Sequence, residues 1–375
     1  MRTITLFYDL QGTYTLRWLK PMLVAKNEFK KLGYKIELAS LFDYFPIGRY
    51  FGYDKAEKME INSAISNKHD IVFLAFHHSS SFLGSCPSVE RIEIVKKIKA
   101  KCNMLVWLDT ADSTGTCLFD VLPYVDLYFK KQILKNQKVY LREVWGGRTF
   151  CEYYHDMLGV DDDMVTDRMF VPATESDLKK LRLSWNVGLG DLFALKPFHI
   201  YLRPFGIKKP EFIDCDKERK LDLQYRGSGY SPIAGYPRSK SKELLSTLRH
   251  IKMCDVTKKI PKLEYIKEGQ NSKSILSPFG WGEICGRDFE AIVYGATMIK
   301  QSMEHCITFP DVYQPWVTYV PLKWDFSDFE EIISKASSPE YREIAKNAQE
   351  YYKHFFTKEG RKDFAKHIVN ELERK

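Results

Sequence analysis

Residues 277–290 read SPFGWGEICGRDFE and combine two glycines, a tryptophan and three charged side chains spaced four and three apart. If a helix begins near Glu283, an advance of about 100° per residue places Glu283, Arg287 and Glu290 within about 60° of one another. Cys285, Phe289, Ile292 and Ala296 then gather on the opposite, core-facing side. A carboxylate held on a helix face accepts two hydrogen bonds from a vicinal diol such as a ribose. An arginine beside it suits a diphosphate, because its planar fork binds oxygens in pairs. Gly280 and Gly282 precede the charged row, so backbone N–H groups and the helix N-terminus are expected to approach an anion closely.

Other candidate residues sit where strands end. The first third alternates short apolar runs (RTITLFYD, KIELASLF, DIVFLAFHH, NMLVWLD, DLYFKKQ) with amphipathic helical stretches, which predicts a parallel sheet covered on both faces. Ligands of such sheets collect at the carboxyl ends of the strands. Those ends carry Asp9 with Gly12, His77 and His78 with Ser79–Ser81, and Asp109 with Asp112, Ser113, Thr114 and Gly115. After an irregular stretch over 141–215, RKLDLQYRG, CDVTKK, SKSILSP, ATMIKQ and WVTYVPL read as strands of a second α/β unit. Arg226 ends its first strand, Arg238 opens the next helix and Lys300 ends ATMIK.

A chain of 375 residues is too long for one ordinary core, and the expected division is 1–185, 186–350 and a C-terminal helix over 351–375 that crosses back to the first domain. A hydrophobic content of 44% against 28% charged residues excludes disorder. The net charge of +8 admits an anionic ligand, a nucleic acid or peripheral contact with a membrane surface. Its basic residues are dispersed among acids with no basic helical stripe, so a nucleic-acid partner is not expected. Eight scattered cysteines without a C-x-x-C pair indicate reduced thiols in a cytoplasmic protein and no metal centre. The apolar runs are far shorter than the ~18 residues of a spanning helix, and no signal peptide is expected. A phosphate loop and a complete G-x-G-x-x-G fingerprint are both missing, which removes kinase and dehydrogenase readings.

The segment SPFGWGEICGRDFEAIVYGATMIKQ resembles the donor-binding core of GT-B glycosyltransferases, in particular the group-1, CgeB-like branch, through Arg287, Phe289, Glu290, Ala291 and Gly295. The resemblance covers residues up to about Asp328 and is one of architecture over the N-terminal half. It implies two Rossmann-like domains facing a central cleft, with a nucleotide-diphosphate-sugar donor on the C-terminal domain. A glycan or lipid-linked acceptor would approach from the N-terminal one. Glu290 would hold the ribose hydroxyls, and Arg287 would lie near the sugar or diphosphate. Glu283 departs from the commoner spacing of two glutamates, with six residues instead of seven between it and Glu290. Arg226, Arg238 and Lys300 would neutralise the departing diphosphate without metal or other cofactor. An inverting enzyme would draw its base from Asp9, His77 or Asp112. The rival readings are a metal-dependent GT-A transferase using Asp161 with Asp163 or Asp214 with Asp216, a nucleotide-sugar epimerase, and a non-catalytic module binding an anionic surface.

Overall fold

The computed structural model describes residues 1–8, 13–40, 67–75, 88–161, 171–190, 209–227, 232 and 234–374. In chain order the first part contributes β1 (Arg2–Tyr8), α1 (Thr13–Val24), α2 (Lys26–Lys31), β2 (Tyr34–Ser40), β3 (His69–Ala75), α3 (Val89–Lys99), β4 (Cys102–Asp109), β5 (Leu127–Lys130) and β6 (Gln132–Leu134), then α4 (Thr149–Leu158), α5 (Glu175–Leu178) and β7 (Leu181–Leu183). The second contributes β8 (Leu221–Gln224), α6 (Tyr236–Leu245), α7 (Lys262–Gln270), β9 (Ser272–Leu276), α8 (Gly286–Val293), β10 (Thr297–Gln301), β11 (Cys306–Thr308) and β12 (Val320–Leu322), followed by α9 (Phe329–Ser334), α10 (Pro339–His354) and α11 (Lys358–Glu373).

Two parallel sheets result, one of six strands in the order β2-β1-β3-β4-β5-β7 and one of four in the order β12-β10-β9-β8. The chain is an α/β protein of two Rossmann-like units. Successive side chains of β1, β3 and β4 alternate between two cores: Ile4, Leu6, Phe73, Val106 and Leu108 face one, while Phe7, Val72, Leu74, Leu105 and Trp107 face the other. Burial on both faces is what a parallel sheet with helices on each side requires. The order reverses between β1 and β3, so the first unit's ligand crevice belongs at their carboxyl ends. Asp9 and His77 follow those two strands and lie outside the described residues.

The units interlock. Phe150, Cys151 and Tyr154 of α4 are buried in the second unit's core, although the chain then returns to add β7 beside β5. The stretch 141–215, read as irregular, thus serves both units. Phe364, Ala365, Ile368, Val369 and Leu372 of α11 form a helical stripe that packs with Ile4, Phe29 and Phe73 in the first unit's core. An antiparallel ribbon joins the units where Cys306, Ile307 and Thr308 of β11 face Leu134, Ile133 and Gln132 of β6. The expected strand over CDVTKK is a turn instead, because the Asp255 carboxylate accepts from the Thr257 amide and hydroxyl and closes the backbone on itself.

Glu283 ties the units together. It is fully buried, and it accepts from Ser113 Oγ at 3.0 Å, from the Thr114 amide at 3.0 Å and hydroxyl at 2.6 Å, and from Gln132 Nε2 at 2.7 Å. His305 Nε2 lies 3.7 Å away. Burial alone pushes a carboxyl up, yet His305 and the Thr114 hydrogen bonds outweigh it and hold Glu283 down at about 2, against an ordinary 4.5. The unfolded chain therefore takes up the extra proton first as pH falls. The stabilisation is complete above about 4.5 and is lost as pH falls toward about 2. Replacing the carboxylate by an amide, Glu283→Gln, is expected to destabilise the chain by roughly 3 kcal/mol at neutral pH and to flatten the acid limb of stability. Thermal unfolding followed from neutral pH into that acid window checks it, and an unchanged melting point and acid limb would contradict it.

Candidate functional site

The second sheet's carboxyl edge is organised by α8. The helix begins at Gly286 and not near Glu283, because Cys285 is its N-cap and Asp288 closes a capping box, accepting from the Cys285 amide at 3.0 Å. Glu283 therefore lies outside the helix and does not share a face with Arg287 and Glu290. Its shell of donors from the first unit gives it a structural role between units and leaves it no ligand-facing position.

Asp288, invisible as a functional residue in the sequence, fixes the start of α8. It is fully buried and receives Ser277 Oγ at 2.5 Å, Tyr313 Oη at 2.7 Å and Lys300 Nζ at 3.2 Å. Lys300 also donates to the Ser277 carbonyl at 3.0 Å and is fully buried. A lysine taken out of water this way needs its carboxylate partner. Lys300 therefore ties β10 to the loop after β9 and is closed to a diphosphate.

The glycine-rich turn has a related fate. The Gly280 amide donates to the Gly282 carbonyl at 3.1 Å, and a Cβ on Gly282 would fall 1.8 Å from the Asp112 carbonyl oxygen. Phe279 packs tilted against Phe150 with centroids 5.1 Å apart, and Arg148 Nε donates to the Trp281 carbonyl at 2.6 Å. Gly280 and Gly282 thus allow the turn to press against the first unit and do not form the anion cradle expected of them. Asp112, on the other side of this contact, has a side chain 37% exposed and 3.5 Å from Lys131 Nζ. Burial pushes the Lys131 ammonium down.

The open part of the edge lies between β8, α7 and α8. Tyr225 donates from its hydroxyl to the Arg238 carbonyl at 2.6 Å, which brings the start of α6 over the end of β8. Arg226 is committed elsewhere: Nε and Nη2 bind Glu268 at 3.0 and 2.6 Å, and Nη1 binds the Asp255 and Lys258 carbonyls at 2.7 and 2.5 Å. With four donor contacts inside the protein, it shapes the loop after β8 and is not a free cation for a leaving group.

Arg287 differs. Its Nη2 donates to the Arg226 carbonyl at 2.5 Å and the Tyr265 phenol lies against the guanidinium, while Nε and Nη1 are buried with no well-formed hydrogen bond among the described residues. Unmet guanidinium donors are costly, and such a group calls for an acceptor. Beside it, a Cβ on Gly286 would meet no atom within 4 Å, so the α8 N-terminus is open there. One turn further, Glu290 Oε2 accepts from Tyr265 Oη at 2.6 Å. Burial, with Glu290 beside it, pushes the Tyr265 phenol up, so it stays a donor at neutral pH. Tyr265 and Glu268 were not singled out in the sequence. Their spacing of three on α7, just ahead of β9, was the available signal.

The structure thus brings Arg238, Arg287 and Glu290 toward one edge, and it places Glu283, Gly280, Gly282 and Lys300 in packing between or beneath the units. Among the described residues no group of three His, Cys, Asp or Glu side chains converges as a metal site would. Asp214 accepts from the Asp216 amide at 2.9 Å and Asp216 pairs with Lys346 at 3.0 Å, so both are engaged within the protein. Asp163 lies outside the described residues.

No protein-family model and no curated protein matches the chain. Solved structures with a loose likeness include an alpha-glucosyltransferase in complex with UDP and a 13-mer DNA containing a HMU base, at 13% identity over 97% of this chain and 99% of that one, TM-score 0.43. They also include the apo form of the lipopolysaccharide outer core galactosyltransferase WaaB, at 10% identity over 99% of each chain, TM-score 0.48. A third is a UDP-N-acetylglucosamine 2-epimerase, at 9% identity over 99% of this chain and 95% of that one, TM-score 0.40.

Proposed function

We propose that the chain is a GT-B glycosyltransferase of the group-1 kind, which moves a sugar from a nucleoside-diphosphate-sugar to a hydroxyl of a glycan or lipid-linked acceptor without a metal. The observation that carries this reading is the pairing of Arg287, whose Nε and Nη1 have no hydrogen-bond partner among the described residues, and Glu290, with an oxygen besides the one Tyr265 takes, at the open start of α8. In this reading Glu290 accepts the ribose hydroxyls and Tyr265 holds its carboxylate in place. Arg287 and the α8 N-terminus face the diphosphate, where both a fixed cation and the helix dipole favour negative charge. As the glycosidic bond breaks, charge grows on the leaving diphosphate, and donors already aimed at it lower the barrier. Asp112 is the described candidate for the base that takes the acceptor proton.

Hydrogen bonds to a charged partner are worth about 1.5–3 kcal/mol each, so Glu290→Ala and Arg287→Ala are each expected to weaken binding of the matching nucleoside diphosphate roughly 10- to 100-fold. Calorimetric titration checks this, with unfolding temperature as the control for fold. Wild-type affinity in both variants would remove the donor assignment. The right nucleotide is found first by thermal shift against UDP-, GDP-, CMP- and dTDP-sugars, since a ligand that binds only the folded state raises the melting point. Full transfer activity is expected in excess chelator, and strict dependence on Mn²⁺ would restore the metal-dependent alternative.

A further inference from the structure

Three consecutive side chains at the end of β5 reach back to the turn after β4, and each holds a different part of it. Lys130 Nζ donates to Asp109 Oδ2 at 2.8 Å and to the Thr116 carbonyl at 2.7 Å. Gln132 Nε2 donates to the Asp112 carbonyl at 3.0 Å and to Glu283 at 2.7 Å. Lys131, between them, meets the Asp112 carboxylate, with Nζ 3.5 Å from Oδ1. The first two contacts have a structural explanation, since Lys130 and Asp109 are buried together and Gln132 belongs to the shell around Glu283.

Lys131 has none of that kind. Its side chain is 4% exposed, whereas that of Asp112 is 37% exposed, so the ammonium is sealed behind and the carboxylate faces outward. Burial pushes the ammonium down although Asp112, Asp109 and Glu283 favour its charge, and Lys130 beside it adds repulsion. The Trp18 ring, with its centroid 5.6 Å from Nζ, covers another side. An apolar side chain of similar volume fills such a place without the desolvation cost, so stability does not account for a lysine there.

The surroundings show what the lysine can control. The Asp112 main chain is fixed, because Gln132 holds its carbonyl and a Cβ on Gly282 would fall 1.8 Å from the same oxygen. Lys131 is fixed too, its carbonyl accepting from Thr308 Oγ1 of β11 at 3.3 Å. What remains adjustable is the direction of the Asp112 carboxylate, and Lys131 Nζ bears on it from behind.

We propose that Lys131 is a positioning residue for proton removal from the acceptor, aiming the Asp112 carboxylate outward and keeping it ionised. The proposal rests on the reading of Asp112 as the base. In the transfer step the acceptor oxygen bonds to the anomeric carbon while the bond from that carbon to the diphosphate oxygen breaks. The diphosphate leaves with the electron pair, and the hydroxyl proton passes to Asp112. A neighbouring cation favours the ionised carboxylate that can take this proton. Lys131 itself touches neither sugar.

Release of nucleoside diphosphate from the sugar nucleotide that gives the largest thermal shift, with water in place of the acceptor, tests it. The full chain is compared with Lys131→Met and Asp112→Asn across the pH range. Lys131→Met is expected to lower kcat about tenfold with donor KM unchanged, and to move the acid limb of the rate profile up by about one pH unit, as loss of a nearby cation does. Unfolding temperature controls for fold, and Lys131→Gln takes the place of the methionine variant if that one melts early. Loss of activity in Asp112→Asn with kcat and the acid limb unmoved in Lys131→Met overturns the proposal and leaves the base in place. Full activity in Asp112→Asn overturns the base and the proposal together. A raised donor KM at unchanged kcat in Lys131→Met puts Lys131 at the donor and overturns the proposal as well.

Discussion

A buried carboxylate between two sheets sets the terms for the rest of this molecule. Glu283 reaches from the second unit into the polar turn after β4, and Ser113, Thr114 and Gln132 close around it. A charge so deeply buried is tolerable only when its lone pairs are met, and here the first unit supplies the donors. The two sheets consequently cannot be treated as separable bodies. The β6–β11 ribbon and the exchange of α4 and α11 between cores reinforce the same registration.

That constraint explains what happens a few residues later. With Glu283 and the glycine turn fixed against Asp112 and Arg148, the chain has little freedom before α8, and Asp288 with Lys300 and Tyr313 fixes where the helix begins. The outcome is a short helix with a rigid base and an open first turn. Arg287 and Glu290 are placed by that fixed helix start together with their own bonds to the Arg226 carbonyl and the Tyr265 hydroxyl. Arg226 and Glu268 play a comparable part on the opposite wall, holding the loop that carries Asp255 and Lys258.

Much of the fold was legible in the residues. β1, β3 and β4 fall on apolar runs of strand length, because a parallel strand buried on both faces leaves little room for polar residues, whereas β9 and β10 show only Ile275 with Leu276 and Met298 with Ile299 among buried polar residues. β7 was not legible, since three residues, Leu181–Leu183, carry too little pattern in an irregular stretch. The start of α8 was misread for a local reason: a cysteine is an uncommon N-cap, and the familiar Ser/Thr signal is missing. The fate of Glu283 and Lys300 was hidden for a non-local one. Their spacing fits a ligand-facing row as well as it fits burial, and only the partners, Thr114 and Gln132 for one and Asp288 for the other, decide between them. Ser113 and Thr114 did stand out as strand-end polar residues, yet their acceptor proved to be a side chain of the protein.

The central claim is that a nucleoside-diphosphate-sugar is held at the end of β8 by α7 and α8. Amide hydrogen exchange with and without the nucleotide that gives the largest thermal shift tests it most directly. The expected result is slowed exchange in peptides spanning 224–227, 262–270 and 286–293, with little change in α2 and the start of α11. Protection confined to the first unit, or none at the start of α8 under saturating nucleotide, would contradict it.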